Sequence, residues 1–144
     1  MTRDYAALVP ELMVADFERS LDFYTRVLGF ARLYGREDPA FAYLDREGAQ
    51  LMIERTHDDP AWLTAPLQAP RGRGLNFQIE VRDIKGLVAA LEAEGWPFRL
   101  PLEDTWYAIS EREEAGNRQF MIQDPDGYLL RFYQDLGERE RGDG

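Results

Sequence analysis

The residues of this chain that could do chemistry are few, and most are polar side chains on segments that alternate like β-strands. Glu11 and Glu54 could form a carboxylate pair for acid–base chemistry, but a structural ion pair with nearby Arg131 is the simpler interpretation. The single histidine, His57, lies in a loop beside two aspartates, where a solvated surface role is typical. There is no cysteine nucleophile, no serine and histidine pair near a strand end and no glycine-rich phosphate loop. These residue types do not favour covalent catalysis.

The charge of the chain restricts its partners. Its 144 residues include 17 basic and 27 acidic side chains, and the formal net charge of −10 repels phosphate backbones and anionic lipid. Solubility is one explanation of the acidic surplus, and attraction of a cationic ligand is another. The chain has no cysteine and no apolar stretch of membrane length. We therefore predict a cytoplasmic protein that binds a small molecule and neither nucleic acid nor a membrane.

Two segments repeat one pattern, and they must position the polar side chains. In residues 11–33 and 76–100, an alternating strand leads through an aspartate into an amphipathic helix that a glycine ends. The residues predicted to cap the two helices are Asp16, Gly29, Asp83 and Gly95. The repeat predicts that two equivalent modules make up the chain.

The remainder of each module has the pattern of β-strands. Alternation predicts strands over residues 8–14, 40–44, 50–55, 75–81, 106–110, 118–123 and 128–133, with an extra strand over 31–35 as an alternative. A DPDG turn joins the last two strands. The prediction is a single domain that comprises a first βαβββ module over 8–55, a linker over 56–74, a second βαβββ module over 75–135 and a disordered tail over 136–144.

Each predicted sheet has one face that no helix covers, and polar side chains collect there. Large apolar residues alternate with the polar ones, which favours the floor of a ligand-binding cleft over a solvated surface. Aromatic rings could stack on flat ligands, although a place in the core or in a dimer interface explains each single ring equally well. The residues predicted to bind a ligand are Glu11, Phe41, Tyr43, Glu54, Trp62, Asn76, Gln78, Trp106, Tyr107 and Arg131.

Three stretches of the chain resemble the glyoxalase, bleomycin-resistance and dioxygenase superfamily, also called the vicinal oxygen chelate superfamily. They are VPELMVADFERSLDFYTRVLGF, NFQIEVRDIKGLVAALEAEGWPF and NRQFMIQDPDGYLLRFY, and the resemblance covers nearly all of residues 9–133. Its most specific elements are the Asp-capped helix and the closing DPDG hairpin. The resemblance implies an α+β fold in which two βαβββ modules form a half-open curved sheet with helices on the outer face.

The resemblance also implies where a metal ion would bind. Metal-dependent members of the family use two histidines and a glutamate, and the matching positions of this chain are Val9, Asn76 and Arg131. Valine has no donor atom, an amide oxygen is a weak ligand for transition metals and a guanidinium group repels a cation. We therefore expect no metal and no other cofactor.

Without the metal ligands, the chain is most similar to the bleomycin-resistance proteins of the family. This similarity implies a homodimer that sequesters a bulky cationic drug in a cleft, gives antibiotic resistance and catalyses no reaction. Arg131 could instead hold a carboxylate or phosphate on an anionic small molecule. A metal-dependent lyase, isomerase or dioxygenase with ligands at other positions is one alternative, and a sensor domain with a protein partner is another.

Overall fold

The computed structural model describes residues 4–142, and their contacts divide the chain into two compact units. Unit 1 contains the residues up to Gly74 together with Asp124–Tyr128. Unit 2 contains Leu75–Gln123 and the residues from Leu129 onward. None of the helices formed by residues 4–142 is long and apolar enough to cross a membrane.

Unit 1 is built on a four-stranded mixed sheet. Its elements are β1 (Glu11–Val14), α1 (Phe17–Asp22) with a π-helical continuation (Phe23–Val27), β2 (Ala31–Glu37), β3 (Ala40–Arg46) and β4 (Ala49–Arg55). The strands lie in the order β1-β4-β3-β2, with β1 parallel to β4 and the other pairs antiparallel. The first and last strands of the module are therefore neighbours.

Unit 2 repeats this arrangement. Its elements are β5 (Phe77–Glu80), α2 (Ile84–Ala93), β6 (Leu100–Ala108), β7 (Glu113–Gln123) and β8 (Leu129–Glu140). The strand order is β5-β8-β7-β6, and β5 is again parallel to β8 while the other pairs are antiparallel. The α+β fold and the two repeated βαβββ modules are confirmed.

The predicted ends of both helices are also confirmed. Asp16 and Asp83 each accept a hydrogen bond from the backbone N–H three residues later, at 3.1 and 3.0 Å. This bond satisfies one of the N–H groups that a helix leaves free at its start. Gly29 and Gly95 follow the helices with φ angles of 79° and 66°, in the left-handed region that glycine adopts without strain.

The core of each unit lies between its helix and one face of its sheet. In unit 1 the buried residues of this layer are Leu12, Val14, Phe17, Tyr24, Leu28, Ala42, Leu44, Leu51 and Ile53. In unit 2 they are Ile79, Ile84, Leu87, Leu91, Phe120, Ile122, Leu130 and Phe132. Because side chains alternate along a strand, burying one face directs the intervening side chains to the other. We call the face of each sheet that does not pack on the helix its open face, and the polar side chains of the strands lie there.

The later strands of unit 2 are longer than predicted, and the prediction of a disordered tail is wrong for residues 136–140. β8 runs on because it pairs with β7 as far as Glu113 opposite Glu140. Pairing of this kind satisfies backbone N–H and C=O groups whatever the side chains are, so a charged segment carries no local sign of it. Residues 143–144 lie outside the described residues. β6 and β7 likewise begin earlier than predicted.

The first strand of each unit is shorter than predicted. β1 begins at Glu11, and β5 covers only Phe77–Glu80. Both are edge strands with one neighbour each, so pairing with that neighbour sets their length. The extra strand that was an alternative over residues 31–35 is present as β2.

The turn between β7 and β8 belongs to unit 1, and a buried carboxylate holds it there. Asp124 is 4% exposed, and its Oδ2 accepts a hydrogen bond from the Tyr24 hydroxyl at 2.8 Å. Its Oδ1 accepts the backbone N–H groups of Asp126 and Tyr128, both at 2.9 Å. Tyr24 is fully buried, so water cannot replace Asp124 as the partner of its hydroxyl.

Further hydrogen bonds connect this turn with the end of β1. Asp126 Oδ1 accepts the backbone N–H of Ala15 at 2.9 Å, and Asp126 O accepts the backbone N–H of Arg71 at 2.9 Å. The carbonyl oxygen of Met13 accepts two hydrogen bonds, from Arg71 Nη1 at 2.9 Å and from the Tyr128 hydroxyl at 3.0 Å. Arg71, which the sequence places in a linker, is therefore hydrogen-bonded to both the turn and β1 of unit 1.

Asp124 should make the stability of the protein depend on pH. Burial raises the pKa of Asp124 from 3.8 to about 6, although hydrogen bonds from Tyr24 and from the backbone act in the opposite direction. Between about pH 4 and pH 6 the folded state therefore holds a proton that the unfolded state has released. Stability should fall as the pH rises through this window, by about 3 kcal/mol in full.

Urea denaturation at a series of pH values measures this fall. In Asp124→Asn the carboxamide does not titrate, so the difference between the two stability profiles isolates the aspartate from the other groups. Equal pH dependence in wild type and Asp124→Asn would contradict the assignment.

Candidate functional site

The open face of the unit 1 sheet brings carboxylates and aromatic rings together. Glu11 lies opposite Met52, and Glu54 lies opposite both Met13 and Phe41. Directly opposed residues project from the same face of a sheet. The side chains on this face include Glu11, Met13, Tyr34, Arg36, Phe41, Tyr43, Met52 and Glu54. Four of the residues predicted to bind a ligand, Glu11, Phe41, Tyr43 and Glu54, are therefore on one surface.

Glu11 and Glu54 form a carboxyl pair on this surface. Their side chains project from adjacent strands of the same face, close enough for the negative charge of Glu54 to act on Glu11. Burial raises the pKa of Glu11, and the hydrogen bond and negative charge of Glu54 raise it further, whereas His57 and Arg36 lower it. The basic groups that act on Glu11 are thus His57 and Arg36, rather than the Arg131 of the sequence-based interpretation.

His57 is closer to the carboxyl pair than a solvated loop residue would be. Its Nδ1 accepts the backbone N–H of Asp59 at 3.2 Å. Nε2 lies 3.8 Å from Glu54 Oε2. Arg36, opposite Phe41 on the neighbouring strand, places its guanidinium carbon 4.6 Å from the centre of the Phe41 ring. This surface therefore combines two carboxyl groups with two basic side chains.

Aromatic rings continue the same surface away from the carboxyl pair. Tyr34 stacks on Tyr43 with ring centres 5.2 Å apart, and Phe41 lies 5.8 Å from Tyr34. Tyr5, from the segment before β1, meets the Tyr43 ring edge-on at 5.3 Å. Tyr43 and Phe41 are buried, whereas Tyr34 and Tyr5 are 38% and 53% exposed. Exposed ring surface is thus available within the same unit as the carboxyl pair.

The open face of the unit 2 sheet carries a separate polar group. Gln78 lies opposite Arg131, and Gln119 lies opposite Tyr133. Arg131 Nη2 donates to Gln78 Oε1, and Gln119 Nε2 donates to the Tyr107 hydroxyl oxygen at 2.8 Å. Gln119 Oε1 and Arg131 Nε are shielded from solvent and have no hydrogen-bond partner among residues 4–142. Three of the predicted residues, Gln78, Tyr107 and Arg131, therefore lie on one face of the unit 2 sheet.

The other predicted residues do not join either group. Trp62 is 64% exposed on the linker. Trp106 lies beneath the guanidinium of Arg139 at 3.6 Å, and as the neighbour of Tyr107 along β6 it projects from the opposite face. Asn76 is exposed and precedes β5. These positions stay predictions without a structural link to the two surfaces.

The sequence of the two modules also matches a known protein family. The sequence profile of the glyoxalase/bleomycin resistance protein/dioxygenase superfamily matches residues 4–132, which is most of the chain. The chain belongs to this superfamily. Members of the superfamily bind small molecules, and the repeated βαβββ arrangement of units 1 and 2 is the fold expected of one.

Individual proteins are similar to this chain in sequence or in structure. A lactoylglutathione lyase of Pseudomonas putida is 29% identical over 85% of this chain and 81% of its own length. A superfamily member from Vibrio splendidus 12B01 is 40% identical over 89% of this chain and 97% of its own, with a TM-score of 0.41. TioX from Micromonospora sp. ML1 is 24% identical over 91% of this chain and 100% of its own, with a TM-score of 0.68. The similarity to TioX concerns the fold alone.

The superfamily includes metal enzymes, but the residues present here do not fit their metal centre. The family resemblance matches Arg131 to the position of a carboxylate ligand, and the Arg131 guanidinium, a fixed cation, donates to the amide oxygen of Gln78. Val9 and Asn76 supply no imidazole. Within residues 4–142, no three side chains of His, Cys, Asp or Glu are grouped so that they could hold a metal ion.

Several residues of the two surfaces were missed by the sequence-based prediction. Tyr34 and Arg36 lie on β2, and their spacing of two residues is the signal that could have found them once that strand was accepted. Gln119 alternates with the core residues Phe120 and Ile122, so the same signal was available. Tyr5 precedes β1, and nothing in the local sequence indicates that it packs on β3.

Proposed function

We propose that the protein binds a small molecule without a metal and does no chemistry on it, as a bleomycin-resistance type member of its superfamily. The proposed ligand is bulky, carries a positive charge and presents a flat ring. In this proposal the protein is a cytoplasmic homodimer that gives antibiotic resistance by sequestering a drug of the bleomycin class.

The observation that carries the proposal is the Glu11 and Glu54 pair on the same surface as the exposed ring of Tyr34. A bound cation would offset the repulsion between the two carboxyl groups, because a nearby positive charge stabilises carboxylates in their ionised form. A flat ring could stack on Tyr34 at the same time. The net charge of −10 adds a long-range attraction for cations.

Bleomycin should therefore bind the metal-free protein saturably in isothermal titration calorimetry at low salt. The affinity should decrease at higher salt, because screening weakens attraction between charges. It should also decrease as the pH falls, because the raised pKa of Glu11 lets protons compete with the cation above the usual glutamate range. Bleomycin recovered after incubation should be unchanged. Absence of saturable binding would contradict this ligand class, and a modified product would contradict a purely binding role.

A metal-dependent lyase, isomerase or dioxygenase is the second candidate function, and the 29% identity to a lactoylglutathione lyase favours it. This function requires metal ligands at positions other than Val9, Asn76 and Arg131. Elemental analysis of protein purified without chelators tests it. A stoichiometric transition metal together with turnover of lactoylglutathione would replace the binding proposal, and protein free of metal would support that proposal.

A further inference from the structure

Among residues 4–142, Arg131 on the open face of unit 2 has no negatively charged partner. Its Nη2 bonds to the amide oxygen of Gln78, and its Nε is shielded from solvent without any acceptor. Within residues 4–142 the Arg131 side chain makes no other hydrogen bond, and no carboxylate lies within ion-pair distance of it. A half-buried guanidinium without a counter-ion is costly unless something else supplies the negative charge.

Gln119 lies diagonally across the same face from Arg131 and has an acceptor atom without a donor. Gln119 and Met121 are two residues apart on β7. Gln119 lies opposite Tyr133 of β8, and Met121 lies opposite Arg131 of β8. Gln119 is 2% exposed, and its Nε2 donates to the Tyr107 hydroxyl oxygen, but its Oε1 accepts no hydrogen bond from the part of the chain that the structure describes. Buried polar atoms without partners are few in native proteins, and each one calls for a specific explanation. Here an unpaired donor and an unpaired acceptor lie on adjacent strands.

We propose that this face of unit 2 binds a carboxylate that carries a hydrogen-bond donor on the neighbouring carbon, as in 2-hydroxy and 2-amino acids. The carboxylate pairs with the guanidinium of Arg131, in the charge-assisted contact that this group forms best. The adjacent hydroxyl or ammonium donates to Gln119 Oε1. Met121 and Leu129 lie on the same face and contact an apolar substituent of the ligand.

The hydrogen-bond donor of the ligand also matters because the surroundings of the site are acidic. Glu80, opposite Tyr133, accepts the Tyr133 hydroxyl at 3.3 Å, and the whole chain carries a net charge of −10. The negative charge of this environment repels any carboxylate, and a hydrogen-bond donor beside the carboxylate offsets part of that repulsion by bonding to Gln119 Oε1. The site therefore selects this pair of groups over a carboxylate alone.

Four probes with the same phenyl ring separate these contributions in titrations of the full chain followed by NMR. They are L-3-phenyllactate, L-phenylalanine, 3-phenylpropionate, which lacks the donor, and 2-phenylethanol, which lacks the carboxylate. At least one of the first two should bind at least about 5-fold more tightly than 3-phenylpropionate, because one buried acceptor gains its partner. Which of the two binds more tightly tells a hydroxy acid site from an amino acid site.

Two variants test the named side chains. Arg131→Gln should weaken the binding of the carboxylate probes at least about 10-fold and leave 2-phenylethanol unaffected. Gln119→Leu should remove the advantage of the donor-bearing probes over 3-phenylpropionate. Arg131→Lys keeps the charge without the planar fork and should bind the carboxylates with intermediate affinity.

Arg118→Gln is the matched control. It removes the same charge from β7, where Arg118 pairs with Asp104 at 2.8 Å, and it should leave all four affinities unchanged. Unchanged carboxylate binding in Arg131→Gln, no preference for a donor-bearing probe in wild type, or no saturable shift with any probe would overturn the proposal. The proposal concerns unit 2 alone, so substitutions at Glu11 and Glu54 should not affect it, and it can fail independently of the proposed function.

Discussion

Replacing Asp124 with alanine should lower the free energy of unfolding by about 3–5 kcal/mol. The substitution leaves three donors without an acceptor: the fully buried Tyr24 hydroxyl and the backbone N–H groups of Asp126 and Tyr128. Each unsatisfied buried donor costs about 1–3 kcal/mol. The loss should be larger at pH 5 than at pH 8, because part of the wild-type stability is itself lost when Asp124 ionises.

Urea denaturation followed by tryptophan fluorescence measures this loss. Tyr24→Phe removes one of the three hydrogen bonds and should cost about 1–2 kcal/mol. The matched control is Asp135→Ala, in which an exposed aspartate loses one backbone hydrogen bond, from Gly137 N at 2.8 Å. A loss in Asp124→Ala as small as in Asp135→Ala would show that the turn does not depend on the buried carboxylate.

Replacing both Glu11 and Glu54 with glutamine should weaken the binding of a cationic aromatic ligand roughly 30- to 160-fold, or about 2–3 kcal/mol. Two charges near a bound cation at the edge of the protein contribute energies of this order. Either single substitution should cost less than half of the total. The reason is that the two negative charges repel each other and Glu54 raises the pKa of Glu11, so removing one charge relieves this repulsion.

Calorimetric titration with bleomycin at low salt measures the affinity of each variant. Two further variants test whether the affinity depends on charge at this site. Glu18→Gln removes an exposed carboxylate from α1 and should leave the affinity unchanged. Arg36→Gln removes a positive charge that acts on Glu11 and should strengthen binding. Wild-type affinity in the double variant would mean that the cation does not bind at the carboxyl pair.

The single variants should also change the pH dependence of binding. In Glu54→Gln the negative charge that helps to raise the pKa of Glu11 is gone, so the loss of affinity on acidification should begin at a lower pH. Burial still acts on Glu11, so part of the shift should persist.

Much of the fold could be predicted because its signals are local. The aspartates at 16 and 83 cap their helices through a bond that spans three residues, and Gly127 closes the DPDG turn with a φ of 103°. Alternation likewise placed Glu11 and Glu54 on an open face, since the positions that alternate with them in their strands are apolar and buried. The tail was mispredicted because the pairing of Glu113 with Glu140 joins segments that are distant in sequence.

The sequence by itself determined the two modules, their capped helices, the face of each sheet that is open and the absence of imidazole and carboxylate from the expected metal positions. Tertiary structure alone decided which of the polar side chains meet. Glu11 reaches Glu54 only through the parallel register of β1 and β4, and Gln119 comes near Arg131 only through the register of β7 and β8. A shift of one residue would direct these side chains to the other face. Local spacing sets which face a side chain occupies, whereas the pairing of distant strands sets its neighbours, and binding depends on the neighbours.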